Sequence, residues 1–387
     1  MAGHLPVLDG VRGLAILGVL LFHFVSPENP EGSFDHAVSW LFAYGALGVD
    51  LFFLLSGFLI TGILYDSRRD AHYFRNFYMR RVLRIFPLYY GVLAVVFLIA
   101  PLIPPLRGSE IAGLRDEQAW AWLYGVNIYL ALHGGWVLSY LTHFWSLAIE
   151  EQFYLVWPLV VWLLSGTPRF FMRFALAVAI ASFGARVVAS LLGVNPVATT
   201  VLTPFQLDSL ALGAFVAVYV RQPEGDIGIR RLIVPMMVVG IVLLVLQFAV
   251  RHFSEYGNSV LAVRSGAFHV LLAALMLKAL TSPASSGWTL FFGSRPMTVL
   301  GKYSYGLYVY HHFISHYYIV HGTERALSST IGSHLASLVI LAVVGMAASM
   351  LIAWLSYEYF ERYFLQLKRF WTSTSASQAL PAANGKL

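Results

Sequence analysis

The chain has 387 residues, 58% of them hydrophobic and 11% charged, with a mean hydropathy of +0.71. That composition, with apolar runs along the whole length, excludes a soluble globular domain and gives a polytopic helical membrane protein. The net charge of +6 is carried by Lys and Arg between the runs, a topology signal and not a nucleic-acid footprint; the absence of cysteine excludes disulfides, thiolate metal sites and a cysteine-bound acyl intermediate.

In chain order the apolar segments fall near 11–26, 39–64, 86–103, 119–133, 144–165, 174–192, 205–220, 232–250, 262–280, 303–321 and 333–356. The first is no cleavable signal peptide: it carries Asp9 and Arg12, lacks a basic leader and is followed by no small-residue cleavage site, so the N-terminus is expected to be retained. Basic residues concentrate at 65–84, 166–173, 221–231, 278–302 and at Lys368 and Arg369. They can all be cytoplasmic only if one of the eleven segments does not cross. The short 119–133, AWAWLYGVNIYLALH, rich in Trp and Tyr, is the one expected to be re-entrant or interfacial. About ten transmembrane helices remain, in an all-α polytopic fold with both termini cytoplasmic in a cell membrane. Residues 1–371 read as one transmembrane domain and 372–387 as a disordered cytoplasmic tail.

Within the first segment, LDGVRGLAILGVLLFHF, Arg12 and His23 are eleven positions apart, about three helical turns, which puts them on nearly one face and roughly 16 Å apart along the axis. Ionisable residues are costly in hydrocarbon and by default mark a substrate, ion or proton path. On the expected topology Arg12 lies near the inner surface and His23 in the outer half. The next segment, GVDLFFLLSGFLI, brings Asp50 to the level of His23, where a carboxylate could fix the imidazole tautomer and make it a better base. In FYMRRVLRIFPLYY, Arg81 and Arg84 share a helix face at the cytoplasmic entry; Arg suits phosphate, although a topology anchor is the commoner explanation of a lone cluster. HFWSLAIEEQFYLVWP sets Ser146, Glu150, Glu151 and Gln152 after His143, either a functional polar group or a solvated helix start.

These strings, with LPVLDGVRGLAILGVLLFHF at the front and FQLDSLALGAF and KYSYGLYVYHH further on, resemble in order and spacing the membrane-bound acyltransferase 3 family of O-acetyltransferase type, over essentially the whole chain. The resemblance implies about ten transmembrane helices and transfer of an acyl group, commonly acetyl from acetyl-CoA, to a hydroxyl of a sugar-containing acceptor. It implies that His23 is the catalytic histidine with Arg12 its motif partner, and that Arg81 and Arg84 belong to the acyl-CoA cluster. Ser146, Glu150 and Asp208 fill further family positions.

The expected chemistry is proton removal from the acceptor hydroxyl by His23, oriented by Asp50 or Glu150, and attack on the thioester; an acyl-imidazole on His23 is the alternative. Donor and acceptor would approach from opposite faces. His311, in a Tyr- and His-rich run (Tyr303, Tyr305, Tyr308, Tyr310, His311, His312), is a further acceptor candidate, against a general reading of such runs as interfacial belts. His4, His36, His72, His252 and His334 read as solvated. Glu358, Glu361 and Arg362 fit the family's terminal motif or a helix-end ion pair. No metal is expected, because His133 and His143 are too isolated to read as a ligand set. Surface polysaccharide, peptidoglycan, a glycolipid or a glycosylated secondary metabolite all fit as acceptor. A separate extracytoplasmic partner would be needed for acceptor handling outside the membrane, since the hydrolase-like domain fused to some relatives is not evident. The competing reading is a transporter or flippase of a lipid-linked glycan, which would want the same buried charges but no CoA.

Overall fold

A computed structural model describes residues 6–25, 32–103, 110–223, 225–253 and 257–371. The proposed tail at 372–387, together with His4, lies outside the described residues, as does the side chain of His252.

The architecture is all-α. In chain order it runs α1 Pro6–Val25, α2 Gly32–Ala43, α3 Leu47–Asp66, α4 Tyr73–Ala94, α5 Glu110–Gly113, α6 Gln118–Trp122, α7 Val126–His133, α8 Phe144–Leu164, α9 Pro168–Leu191, α10 Pro196–Val201, α11 Leu207–Tyr219, α12 Gly225–Phe253, α13 Gly257–Thr281, α14 Gly287–Phe292, α15 Arg295–Val320, α16 Thr323–Ile331, α17 His334–Ser356 and α18 Arg362–Leu367. Eight stretches of the described chain are long and apolar enough to cross a membrane. α11 is apolar but shorter, and α15, at 26 residues, is long enough but studded with Tyr and His. The eight spans, with α15 and the shorter α11 beside them, compare with the expectation of about ten transmembrane helices. The segment 119–133 breaks at Leu123–Gly125 into α6 and α7, five and eight residues long. Eight residues rise only about 12 Å, well short of a hydrocarbon core of about 30 Å, so this segment cannot cross as a helix.

α1 lies at the centre, packed on α3, α15 and α17. Its sequence explains the position, because small residues let backbones meet where lipid offers no hydrophobic incentive to pack. A Cβ on Gly13 would stand 2.1 Å from the carbonyl oxygen of Met297, and one on Gly301 would stand 1.9 Å from that of Asp9. α15 therefore rides directly on the α1 backbone, and its later turns carry His311 to within 4.8 Å, ring centre to ring centre, of His23. α3 and α11 meet in the same way, with Gly57 against the Leu210 carbonyl. α12 is peripheral, exposing Val234, Val245 and Phe248 as a lipid-facing helix does.

Two expectations about polar residues change. His334 is not merely solvated: it lies 3.0 Å from the carboxylate of buried Asp35 and 2.6 Å from that of Glu324, tying the start of α17 to α2 and α16. The tyrosines at 303–308 do not form a belt. Tyr303 and Tyr308 are buried and Tyr305 donates to the Ile85 carbonyl at 2.8 Å, so they fill the bundle interior.

Candidate functional site

Three cavities follow α1 from the Asp9 end to the His23 end. At the Asp9 end a cleft between α1, α4, α15 and the chain end is lined by Asp9, Arg12, Arg84, Lys302, Glu361 and Lys368, four cations against two carboxylates. Glu358 spends its charge on Lys302 and Arg362, at 3.2 and 2.8 Å, the helix-end ion pair expected of it. Glu361 instead turns into the cleft from the π-helical turn Tyr357–Glu361, held by the Ser356 hydroxyl at 2.9 Å.

Arg12, Arg84 and Tyr305 are also walls of the next chamber, in the middle of the bundle. Arg81, Glu150, Glu151, Ser56, Ser146 and Tyr154 complete it. The three-residue spacing of Arg81 and Arg84 turns both inward, and neither makes a hydrogen bond or close ion pair among the described residues; Arg81 Nε is buried without a partner. Arg12 has Asp9 at 3.8 Å, and Glu150 accepts from the Ser56 hydroxyl. Glu150 thus belongs with the arginines. It lines the middle chamber and not the cavity that holds His23. Ser146 shares a hydrogen bond with Tyr308, whose hydroxyl also reaches the His143 carbonyl at 3.0 Å. The Ser146 hydroxyl is therefore engaged by Tyr308 of α15 and by the His143 carbonyl at 3.3 Å.

Val49 and Tyr308 separate this chamber from the third and largest cavity, which encloses about 1850 Å³ including its open mouth. His23, His143 and His312, whose rings cluster, line it together with Asp50 and Arg186, and Trp40, Tyr44, Trp136, Trp145 and Phe268 give it an aromatic lining. His23 Nδ1 donates to the Val19 carbonyl at 3.0 Å, and since a carbonyl can only accept, the proton is on Nδ1 and Nε2 carries the lone pair. Asp50 shares the cavity with His23 but is bonded elsewhere, 3.2 Å from His269 Nε2. His269 in turn holds Asp208 through Nδ1 at 2.9 Å, and Asp208 pairs with Arg186 at 2.5 Å. Asp208 is buried behind this relay and lines none of the three cavities; it positions His269 and Asp50 from behind. His311 is fully buried beside His23, while its neighbour His312 reaches the cavity wall.

His269 and Arg186 were not singled out in the sequence, yet each is an ionisable residue in an apolar run, GAFHVLLAALML and ASFGARVVAS, the same signal that marks Arg12 and His23. His143 looked isolated because its neighbours come from α15: its ring lies 4.7 Å from His312 and 5.5 Å from His311. His133 stays apart, bonded to the Tyr129 carbonyl.

A family model described as an acyltransferase domain matches residues 5–358. Among curated proteins the chain is similar to the O-acetyltransferase OatA of Staphylococcus aureus, 29% identical over 326 residues that cover 80% of this chain and 50% of the relative. It is also similar to the peptidoglycan O-acetyltransferase OatA of Listeria monocytogenes, 27% identical over 370 residues, 92% of this chain and 55% of that one. The chain thus spans about half the length of these relatives. No solved structure matches it.

Proposed function

The chain belongs to the acyltransferase domain family, and from that premise we propose that it is a multi-pass membrane O-acyltransferase. It moves an acyl group, acetyl in the simplest case, from acyl-CoA to a hydroxyl of a sugar-containing acceptor. The observation that carries this reading is the run of three wall-sharing cavities along α1, cationic at the Arg12 end and aromatic with a free imidazole nitrogen at the His23 end.

Each end suits one substrate. The phosphates of CoA are polyanionic, and Arg12, Arg81, Arg84 and Lys368 supply the charge-assisted donors they need, with Arg81 and Arg84 not already spent on carboxylates. The narrow middle chamber takes the pantetheine arm, whose thioester then lies near Val49 and Tyr308, at the wall of the His23 cavity. Sugar rings present apolar C–H faces that stack on tryptophan, and the wide aromatic cavity accommodates a saccharide of more than one ring. The acceptor class is a surface glycan of the peptidoglycan kind, for which the Listeria relative is named.

The chemistry follows from the tautomer. His23 Nε2 takes the proton of the acceptor hydroxyl, the oxygen attacks the thioester carbonyl, and collapse of the tetrahedral adduct expels CoA thiolate, which recovers the proton from His23. Direct transfer needs no acyl-enzyme, and the engaged hydroxyl of Ser146 supports it. CoA is cytoplasmic, so the Arg end faces the cytoplasm, as do both termini, and the His23 end faces outward. The test is transfer of label from [¹⁴C]acetyl-CoA to glycan fragments by the purified protein in liposomes. Label recovered as ester on the glycan is the expected result; movement of a lipid-linked glycan with no acetyl-CoA consumed would replace the enzyme with a transporter.

A further inference from the structure

Three imidazoles from two helices converge beside the aromatic cavity: His23 of α1, and His311 and His312 of α15. One ring nitrogen from each lies within 4.8 Å of the others. One nitrogen of every ring is tied to the backbone: His23 Nδ1 to Val19 at 3.0 Å, His311 Nδ1 to Leu307 and Tyr308 at 3.1 and 2.8 Å, and His312 Nε2 to Ser139 at 3.3 Å. A carbonyl accepts and never donates, so each of these three nitrogens carries the proton. Each opposite nitrogen, His23 Nε2, His311 Nε2 and His312 Nδ1, is then a bare lone pair. Two of them, on His311 and His312, are buried with no hydrogen-bond partner.

Three bare acceptors on clustered rings, with no donor among them, are a costly arrangement in a protein interior. A proton or water can relieve one contact. A cation that takes three lone pairs relieves all of them, and imidazoles whose second nitrogen donates to a backbone carbonyl have the outer-shell arrangement that orients histidine ligands on metals. We infer that His23, His311 and His312 form a binding site for a divalent transition-metal ion of the Zn²⁺, Ni²⁺ or Cu²⁺ class, which imidazole donors suit. The bonds formed are dative, from three neutral nitrogens to the ion. No proton needs to leave a ligand, because the tautomers are already those a ligand requires. Bonds of about 2.0–2.1 Å require the three nitrogens to draw closer than their present 4.8 Å limit, by movement of the rings toward a common centre. The cavity side of His23 leaves the fourth position open to water.

The site has a consequence for the chemistry, and this part rests on the acyl-transfer reading. An ion on His23 Nε2 occupies the lone pair that would accept the hydroxyl proton, so the metal inhibits transfer.

The binding claim is tested without reference to activity, on full-length protein purified through a histidine-free tag and equilibrated with Zn²⁺ or Co²⁺. Mass spectrometry of the eluted metal is expected to find about one ion per chain, and Co²⁺ is expected to give the visible absorption of a low-coordinate imidazole site. His312→Gln and His311→Gln should each weaken retention roughly tenfold or more, while His72→Gln, in the loop before α4, should retain the ion. If His311→Gln does not fold, His312→Gln at the cavity wall and the wild-type Co²⁺ spectrum decide the matter. No retained ion in wild-type protein, or equal retention by His312→Gln, overturns the site. Where transfer is measurable, Zn²⁺ should abolish it and a chelator restore it; tight binding with undiminished transfer overturns the withdrawal of His23. Failure of the acyl-transfer reading itself would appear as no transfer in metal-free protein, a different result from absent binding.

Discussion

His23 joins the two halves of the proposed chemistry, since its Nδ1 proton is fixed by Val19 and its Nε2 is left free at the cavity. His23→Ala is therefore expected to lower kcat by about 10²–10⁴, the usual contribution of general acid–base catalysis, while the protein still elutes as a folded species in detergent. Near-normal turnover in a folded His23→Ala protein would remove the base from the mechanism. The arginines call for a different readout. Arg84 lines both the cleft and the middle chamber whereas Arg81 lines the chamber alone, so Arg84→Ala should be the more damaging. Each charge-assisted phosphate contact is worth roughly 1.5–3 kcal/mol, so the apparent KM for acetyl-CoA should rise about tenfold or more, with the KM for the glycan nearly unchanged. Equal effects on both substrates would reduce the arginines to topology anchors.

At the scale of elements, the approach of α15 to α1 brings His311 and His312 to His23, and it depends on two glycines. An alanine Cβ at Gly301 would stand 1.9 Å from a backbone oxygen, which no side-chain rotation can relieve. Gly301→Ala should cost about 1–3 kcal/mol, the range of overpacking changes, and lower the melting temperature and the transfer rate together. Gly184→Ala, where an added Cβ meets nothing within 4 Å, should do neither. A Gly301→Ala protein as stable and active as wild type would mean that the two backbones are not in contact. The same contact marks the boundary of what the sequence makes legible. Arg12, His23, Asp50, Arg81, Arg84 and Glu150 are visible because charge in an apolar run is costly wherever it occurs. Which of them meet is decided by packing between helices far apart in sequence. Glu150 therefore falls among the arginines, His143 gains neighbours more than 160 residues away, and Asp50 finds His269 instead of His23. The existence of the apolar helices was legible from hydropathy, and so was the break in 119–133, but not every boundary: α4 starts at Tyr73 and α15 at Arg295, because their first turns carry the charged residues that hydropathy reads as loop, and 39–64 divides between α2 and α3. The glycine contacts were not legible, because a glycine in a helix looks the same whether it faces lipid or another backbone.

For the whole molecule, donor and acceptor reach one imidazole from opposite faces only if α4 crosses once and α6 and α7 do not. α4 with its continuation to Leu102 is long enough to cross, and the loop before it is separated from the start of α8 by that one crossing together with the short α5, α6 and α7. The chain has no cysteine, so single cysteines can be placed without background. Ala71, exposed in the Arg-rich loop, and Val137, 49% exposed before α8, are suitable positions. Ser139 is a poor one, because its backbone has φ of 41° and its carbonyl holds His312. In right-side-out vesicles an impermeant maleimide should label Val137→Cys and not Ala71→Cys; in inverted vesicles the pattern should reverse. The positive-inside rule puts the Arg-rich loop in the cytoplasm, which fixes the sign of the expectation. Labelling of both positions from one face would place the cationic cleft and the aromatic cavity in contact with the same compartment. Acetyl-CoA and glycan would then have to share an entrance, and transfer along α1 from one side of the membrane to the other would have no physical basis.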